Sequence, residues 1–252
     1  MSPISIHDRI KIIEGIEIAS KLQGRGAVLS DNQDSAAVDA GSSVSFVGNL
    51  PGQMKASSTR LYSDVLNSTL FAQLAANKQY DRQNQTTAWY DYYKYVLETV
   101  GWNVQGFDFA HLTDANSYLT VDNLLLKLAA AYLSGGELDL FKTMLDSLKD
   151  AKNEAATKLF DSSAKAFNKA NFQLGVASNA QGNALFKIGS YYYGAQQNID
   201  KVLFFTFGSQ KVEFYAGNQT MLLNDDVYSQ VRVSVLQKLG SNAKDLVNEI
   251  EI

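Results

Sequence analysis

Near Asn171 the hydrophobic period of the chain changes from 3.6 to 2, and this switch restricts the fold more than any other feature. Before it, apolar residues recur at helical spacing. Leu61, Val65, Leu66, Leu70 and Leu74 form one stripe over 59–80, where Ser58 or Thr59 can cap the first free N–H groups. Trp89, Tyr92, Tyr93, Val96, Leu97 and Val100 form a second over 87–100, with Gly101 as the stop. Thr120 caps a helix running to Leu133, and Gly135-Gly136 breaks it. Leu138, Phe141, Leu145 and Leu148 mark a helix over 137–149. The next, over 150–169, is polar and carries Ala155, Leu159, Phe160, Ala164 and Phe167 on one side. After the switch, Phe172, Leu174 and Val176 alternate with small or polar residues, and 178–183 supplies a turn into a strand over Leu185–Tyr193. Val202–Phe207 and Lys211–Ala216 read as a hairpin around Gly208-Ser209-Gln210, with 219–223 as a strand stub. Asn224 or Asp225 caps a last helix that buries Tyr228, Val231, Val235 and Leu239 and stops at Gly240.

Helices first and strands later argue for an α+β fold over a doubly wound one. The expectation is a single α+β domain over 1–252: a helical layer at 59–169, a four-stranded antiparallel meander, and a C-terminal covering helix within 170–252. The remaining part, 1–58, reads as a helix over 7–22 and an irregular loop over 26–58, in which Val44–Val47 can form one strand. That loop reads either as a binding segment or as a plain linker. Trp102–Phe109 suggests a short strand, and 242–252 a further short helix.

Most chemistries find no residues to carry them. The chain has no Cys, which removes disulfides, thiolate metal sites and a cysteine nucleophile. Lys+Arg 22 against Asp+Glu 26 leaves a formal charge of −4, so no nucleic-acid partner is expected. Its two histidines, His7 and His111, lack metal-site spacing. His111 lies near Asp108 and Asp114, but no nucleophile motif accompanies them. Asp225-Asp226 sits where a helix cap belongs, and Asp31, Asp34 and Asp39 miss the calcium-loop spacing. No Walker or dinucleotide fingerprint occurs. No catalytic residue, cofactor or metal is therefore expected, and a hydrolase, kinase or dehydrogenase is disfavoured. Charges interrupt the first 22 residues, and no run approaches the roughly 20 apolar residues of a spanning helix. The expectation is synthesis in the cytoplasm, with release by a non-classical route left open.

Aromatic content is the unusual feature. There are 13 Tyr, 13 Phe and 2 Trp, and they cluster. Trp89-Tyr90-Asp91-Tyr92-Tyr93 puts rings on every side of one helix, and Tyr191-Tyr192-Tyr193 puts them on both faces of one strand. A helix with one buried stripe needs fewer rings. Trp89, Tyr90, Tyr92, Tyr93, Tyr191 and Tyr193 are thus the candidate interaction surface, either for a membrane lipid or protein partner or for a second copy of the chain. Burial of all of them between two layers of structure is the competing possibility.

The stretches LYSDVLNSTLFAQLAANKQYDR (61–82), WYDYYKYVLETVGW (89–102) and VLFFTFGSQKVEFYAGNQTMLLNDDVYSQVR (202–232) resemble a small group of bacterial and fungal proteins. That group is similar in layout to virulence factors that help bacteria persist in insect guts. The resemblance implies a mixed helix-and-sheet fold and membrane attachment through a palmitoylated cysteine. The missing Cys rules out that anchor here. Together with the aromatic clusters, the resemblance suggests a non-enzymatic interaction protein of toxin or virulence type engaging a membrane surface or protein partner. The alternative is a self-assembling structural or storage protein.

Overall fold

The computed structural model describes residues 4–19, 35–39, 43–47, 55–105, 108–180, 183–208, 211–240 and 247–250. At its centre lie three long antiparallel strands, β6 (Lys169–Ala180), β7 (Asn183–Gly194) and β8 (Glu213–Leu223). β3 (Trp102–Gln105) and β4 (Ala110–Leu112) pair with β8, and the two-residue β5 (Lys165–Ala166) pairs with the start of β6. On the far side of β6, β2 (Ser43–Val47) adds in parallel, followed by β1 (Ser35–Asp39) and β9 (Val247–Ile250).

The helices are α1 (Ile6–Gly15), α2 (Lys55–Gln79), α3 (Thr86–Val100), α4 (Val121–Ala129), α5 (Gly135–Ser147), α6 (Glu154–Ala164) and α7 (Asp225–Leu239). Gly101 ends α3 at φ 116, a conformation that favours glycine. Among the long elements the order is helices, then the β6–β8 sheet, then the helix α7, as the change of period implies. The helices do not form the one layer expected over 59–169. α1, α2, α3 and α7 cover the sheet face that presents Phe186, Ile188 and Met221, while α4, α5 and α6 cover the face with Phe172, Leu174, Tyr191 and Phe214. The strands require both layers. Every residue from Ala170 to Ser178 of β6 is buried, so both faces of that strand are apolar or bonded and one layer would leave half of them in water.

Four further expectations need correction. Val202–Phe207 is not a strand. Val202, Leu203, Phe205 and Phe207 are buried in the second core, and the segment instead offers its Leu203 and Phe205 carbonyls to the N–H groups of Asp122 and Val121 at the start of α4. A short apolar run does not reveal by itself which use the fold makes of it. The real partner of β7 begins at Glu213 and absorbs the 219–223 stub, so three of the four expected meander strands form. At the C-terminus, Val247–Ile250 is a strand on β1 where a helix is expected. The polar helix expected over 150–169 stops at Ala164, after a 3-10 turn at Ala151–Asn153. Within the expected 26–58 loop, 26–34, 40–42 and 48–54 lie outside the described residues; β1 and β2 are strands, and α2 already begins at Lys55.

Candidate functional site

Five of the six candidate surface rings are interior. Trp89, Tyr90, Tyr93, Tyr191 and Tyr193 are at most 1% exposed. α3 lies with α1, α2 and α7 around it and the sheet beneath, which is the two-layer environment that accepts rings on several sides. Two polar handles of this cluster have side-chain partners. Trp89 Nε1 donates to Asn77 Oδ1 at 2.7 Å, and the Tyr90 hydroxyl donates to Asn171 Oδ1 at 2.9 Å. Arg82 lies 4.2 Å over the Trp89 ring and also donates to Asn171 Oδ1, at 3.1 Å. On the opposite face of the sheet, the Tyr193 hydroxyl donates to the Val202 carbonyl at 2.8 Å, and the hydroxyls of Tyr132 and Tyr191 share a 3.2 Å hydrogen bond. Burial pushes the Tyr132 phenol up to about 12 and raises Tyr191 and Tyr193 well above their ordinary value. These are core residues, and they offer no contact surface. Tyr92 alone is half-buried, edge-on to Tyr80.

His111 is on β4, and its Nε2 lies 2.9 Å from a Glu213 carboxylate oxygen. The carboxylate it meets is thus that of Glu213, where the sequence offered Asp108 or Asp114. Among the described residues, no group of three or more His, Asp or Glu could hold a metal ion.

The feature that breaks local rules lies elsewhere. Ala166 pairs with Lys169, so Phe167 and Asn168 form a two-residue turn between β5 and β6. Phe167 has φ 48, the only positive φ of a non-glycine among the described residues. Hairpin turns reserve such positions for Gly, Asn or Asp, because a Cβ there crowds the carbonyl. Phe167 is also 73% exposed. A large apolar ring therefore stands in water on a backbone that disfavours it. The neighbouring segment holds it there: the Phe167 carbonyl accepts from Ile199 N at 2.9 Å, and the Asn168 carbonyl accepts from Ala195 N at 2.9 Å. The same segment runs on to Phe207, whose N–H donates to the Leu119 carbonyl, and Leu119 is 70% exposed. Lys165 and Lys169 flank the turn and direct their ammonium groups to neutral oxygens, the Asp200 carbonyl and Asn84 Oδ1. The turn thus presents an apolar tip between cations.

The sequence hides this tip because Phe167 falls in phase with Phe160 and Ala164 as a continuation of the helix stripe. The available signal was Lys-Ala-Phe-Asn-Lys (165–169), where the helical and alternating periods meet.

No protein-family model matches the chain, and no curated protein matches it in sequence. Among solved structures it is similar to the Evf virulence factor, at 12% identity over 95% of this chain and 88% of that one, with a TM-score of 0.37. It is also similar to the activated Cyt2Ba monomer from Bacillus thuringiensis subsp. israelensis, at 7% identity over 52% of this chain and 78% of that one, with a TM-score of 0.26.

Proposed function

We propose that this chain is a non-enzymatic interaction protein of toxin or virulence type that engages a membrane surface through the β5–β6 turn. The toxin or virulence class follows the resemblance carried by 61–82, 89–102 and 202–232. The membrane contact rests on one observation: Phe167, strained at φ 48 and 73% exposed, at the apex of a lysine-flanked turn. Such backbone strain persists where function requires it. Aromatic rings favour the boundary between headgroups and acyl chains, and lysines beside them reach anionic lipid. Burying one such ring contributes about 1.5–3 kcal/mol, and each lysine near an anionic surface about 1 kcal/mol. Contact through this tip is therefore weak and reversible, and its ring-burial part is insensitive to salt.

Phe167→Gly separates function from stability. Glycine relieves a left-handed penalty of about 1–2 kcal/mol and gives back part of it as chain entropy. The variant should melt about 1–4 °C higher by calorimetry, yet its partitioning onto phosphatidylcholine vesicles should fall tenfold or more in a sedimentation assay. Wild-type protein that ignores vesicles, or a variant that binds them equally well, would sink the proposal. Size that grows with concentration in the absence of lipid would favour self-assembly instead.

A further inference from the structure

Beside the turn, the sheet ends in two rows of side chains on the face shared with α2 and α3. Pairing aligns Lys169, Gly194 and Glu213 in the outer row, and Asn171, Tyr192, Tyr215 and His111 in the next. The missing side chain at Gly194 leaves a notch. A Cβ built there would meet only the Asn168 carbonyl oxygen, at 4.0 Å. Lys169 and Glu213 stand on either side of it, two strand spacings or about 9.5 Å apart at the backbone. The rings of Tyr192 and Tyr215 stack behind it, 4.4 Å apart and 8° from parallel. Gln83, from the α2–α3 connection, and Thr86, the first residue of α3, border the same cavity, whose volume is about 200 Å³. That is below the roughly 300–1,000 Å³ of drug-sized pockets and suits a ligand the size of one headgroup.

The two ends of the notch carry opposite charge. Lys169 Nζ is held at 3.1 Å by Asn84 Oδ1, a neutral acceptor, and its charge also acts on the exposed Asp81 carboxylate nearby. Glu213 shares its carboxylate with His111 and keeps 64% of its side chain exposed. A lone anion would meet Glu213, and a lone cation would meet Lys169. A molecule bearing both charges satisfies both ends, and a methylated ammonium also gains from neutral aromatic rings. We propose that this notch binds a small zwitterion, its oxyanion at Lys169 and its ammonium between Glu213 and the Tyr192–Tyr215 pair. The inference rests on the rows of the sheet and is independent of the membrane reading.

The test is calorimetric titration of the full chain with phosphocholine, with choline and inorganic phosphate as single-charge probes. Phosphocholine should bind at least tenfold more tightly than either probe. Lys169→Ala and Glu213→Gln, both at exposed positions, should each weaken it tenfold or more. Gly194→Val, which fills the notch from a site with room for the side chain, should abolish binding while leaving the melting curve in place. No heat with phosphocholine, equal affinity for inorganic phosphate, or unchanged binding by Gly194→Val would each overturn the proposal. Competition by phosphocholine against pure phosphatidylcholine vesicles, performed on the Phe167→Gly chain, identifies the source. Competition points to a lipid headgroup. Soluble binding without it points to a free zwitterion, and either result upholds the site.

Discussion

Converting Tyr191 and Tyr193 together to Ser is expected to leave the chain without a cooperative unfolding transition at 25 °C. Both rings are 1% exposed, and both touch Phe172 and Phe214, Tyr193 stacking on Phe214 at 5.5 Å and 9°. Truncating a buried aromatic ring costs about 3–5 kcal/mol, because the lost transfer energy is joined by the cavity left behind. Two such losses in one cluster couple and do not simply add. Even so, they rival the whole stability of an ordinary domain, about 5–15 kcal/mol. The change also strips the Val202 carbonyl of the Tyr193 hydroxyl and the Tyr132 hydroxyl of its Tyr191 partner. Tyr192→Ser is the internal control. That ring lies between the other two in sequence but on the opposite face, half-buried against Tyr215. Losing its stacking and partial burial should cost about 1–2 kcal/mol. Urea denaturation followed by circular dichroism distinguishes these outcomes. A costly Tyr192 beside a tolerated Tyr191–Tyr193 pair would mean that β7 pairs one residue out of register, since such a slip exchanges its faces.

This contrast shows what a one-dimensional pattern conveys. Alternation assigns Tyr191 and Tyr193 to one side of a strand and Tyr192 to the other, and the change of period at Asn171 separates helices from sheet. Neither pattern reveals how many layers cover the sheet. Trp89, Tyr90 and Tyr93 therefore suggest surface where the fold has interior, because the strip of residues around α3 is the same whether water or a second element faces it. Local chemistry was legible where it is self-contained, as at Gly101, whose positive φ ends α3. It was illegible where tertiary bonds decide. Val202–Phe207 forms no strand because it caps α4, and α6 stops before Phe167 without any glycine because the 195–199 segment captures the following backbone carbonyls. The partner of His111 was hidden for the same reason, since Glu213 reaches it only through the pairing of β4 with β8.

Acid sensitivity should depend on Glu137. This residue is in the first turn of α5, and its Oε2 accepts from Ser134 N at 2.8 Å, from Ser134 Oγ at 2.7 Å and from Lys187 Nζ at 2.8 Å. The Lys187 bond ties the second helical layer to β7. Burial pushes the Glu137 carboxyl up, but the bonds from Lys187 and Ser134 outweigh it and hold the group below its ordinary value of about 4.3. A carboxylate whose pKa is lower in the folded chain contributes stability above its unfolded value, and that contribution disappears as pH falls through the folded value. The wild-type chain should therefore lose stability progressively below about pH 4.3. Glu137→Gln keeps the shape but leaves Lys187, whose side chain is 21% exposed, without its carboxylate. Breaking a fully buried pair costs about 3–5 kcal/mol, and the partial exposure of Lys187 lowers the expected cost at pH 7 to about 2–3 kcal/mol. The variant should then lose less further stability than wild type between pH 5 and pH 3, since the group that titrates is gone. Asp81, held below its ordinary value by hydrogen bonds from Asn84, and Glu154, held below its own by Lys158, remain in both proteins and contribute to the slope that persists. Urea midpoints measured at intervals from pH 7 to pH 3 provide the comparison. Parallel losses in the two proteins would assign the acid response to other carboxylates, and a variant as stable as wild type at pH 7 would show that the Lys187 bond contributes nothing net.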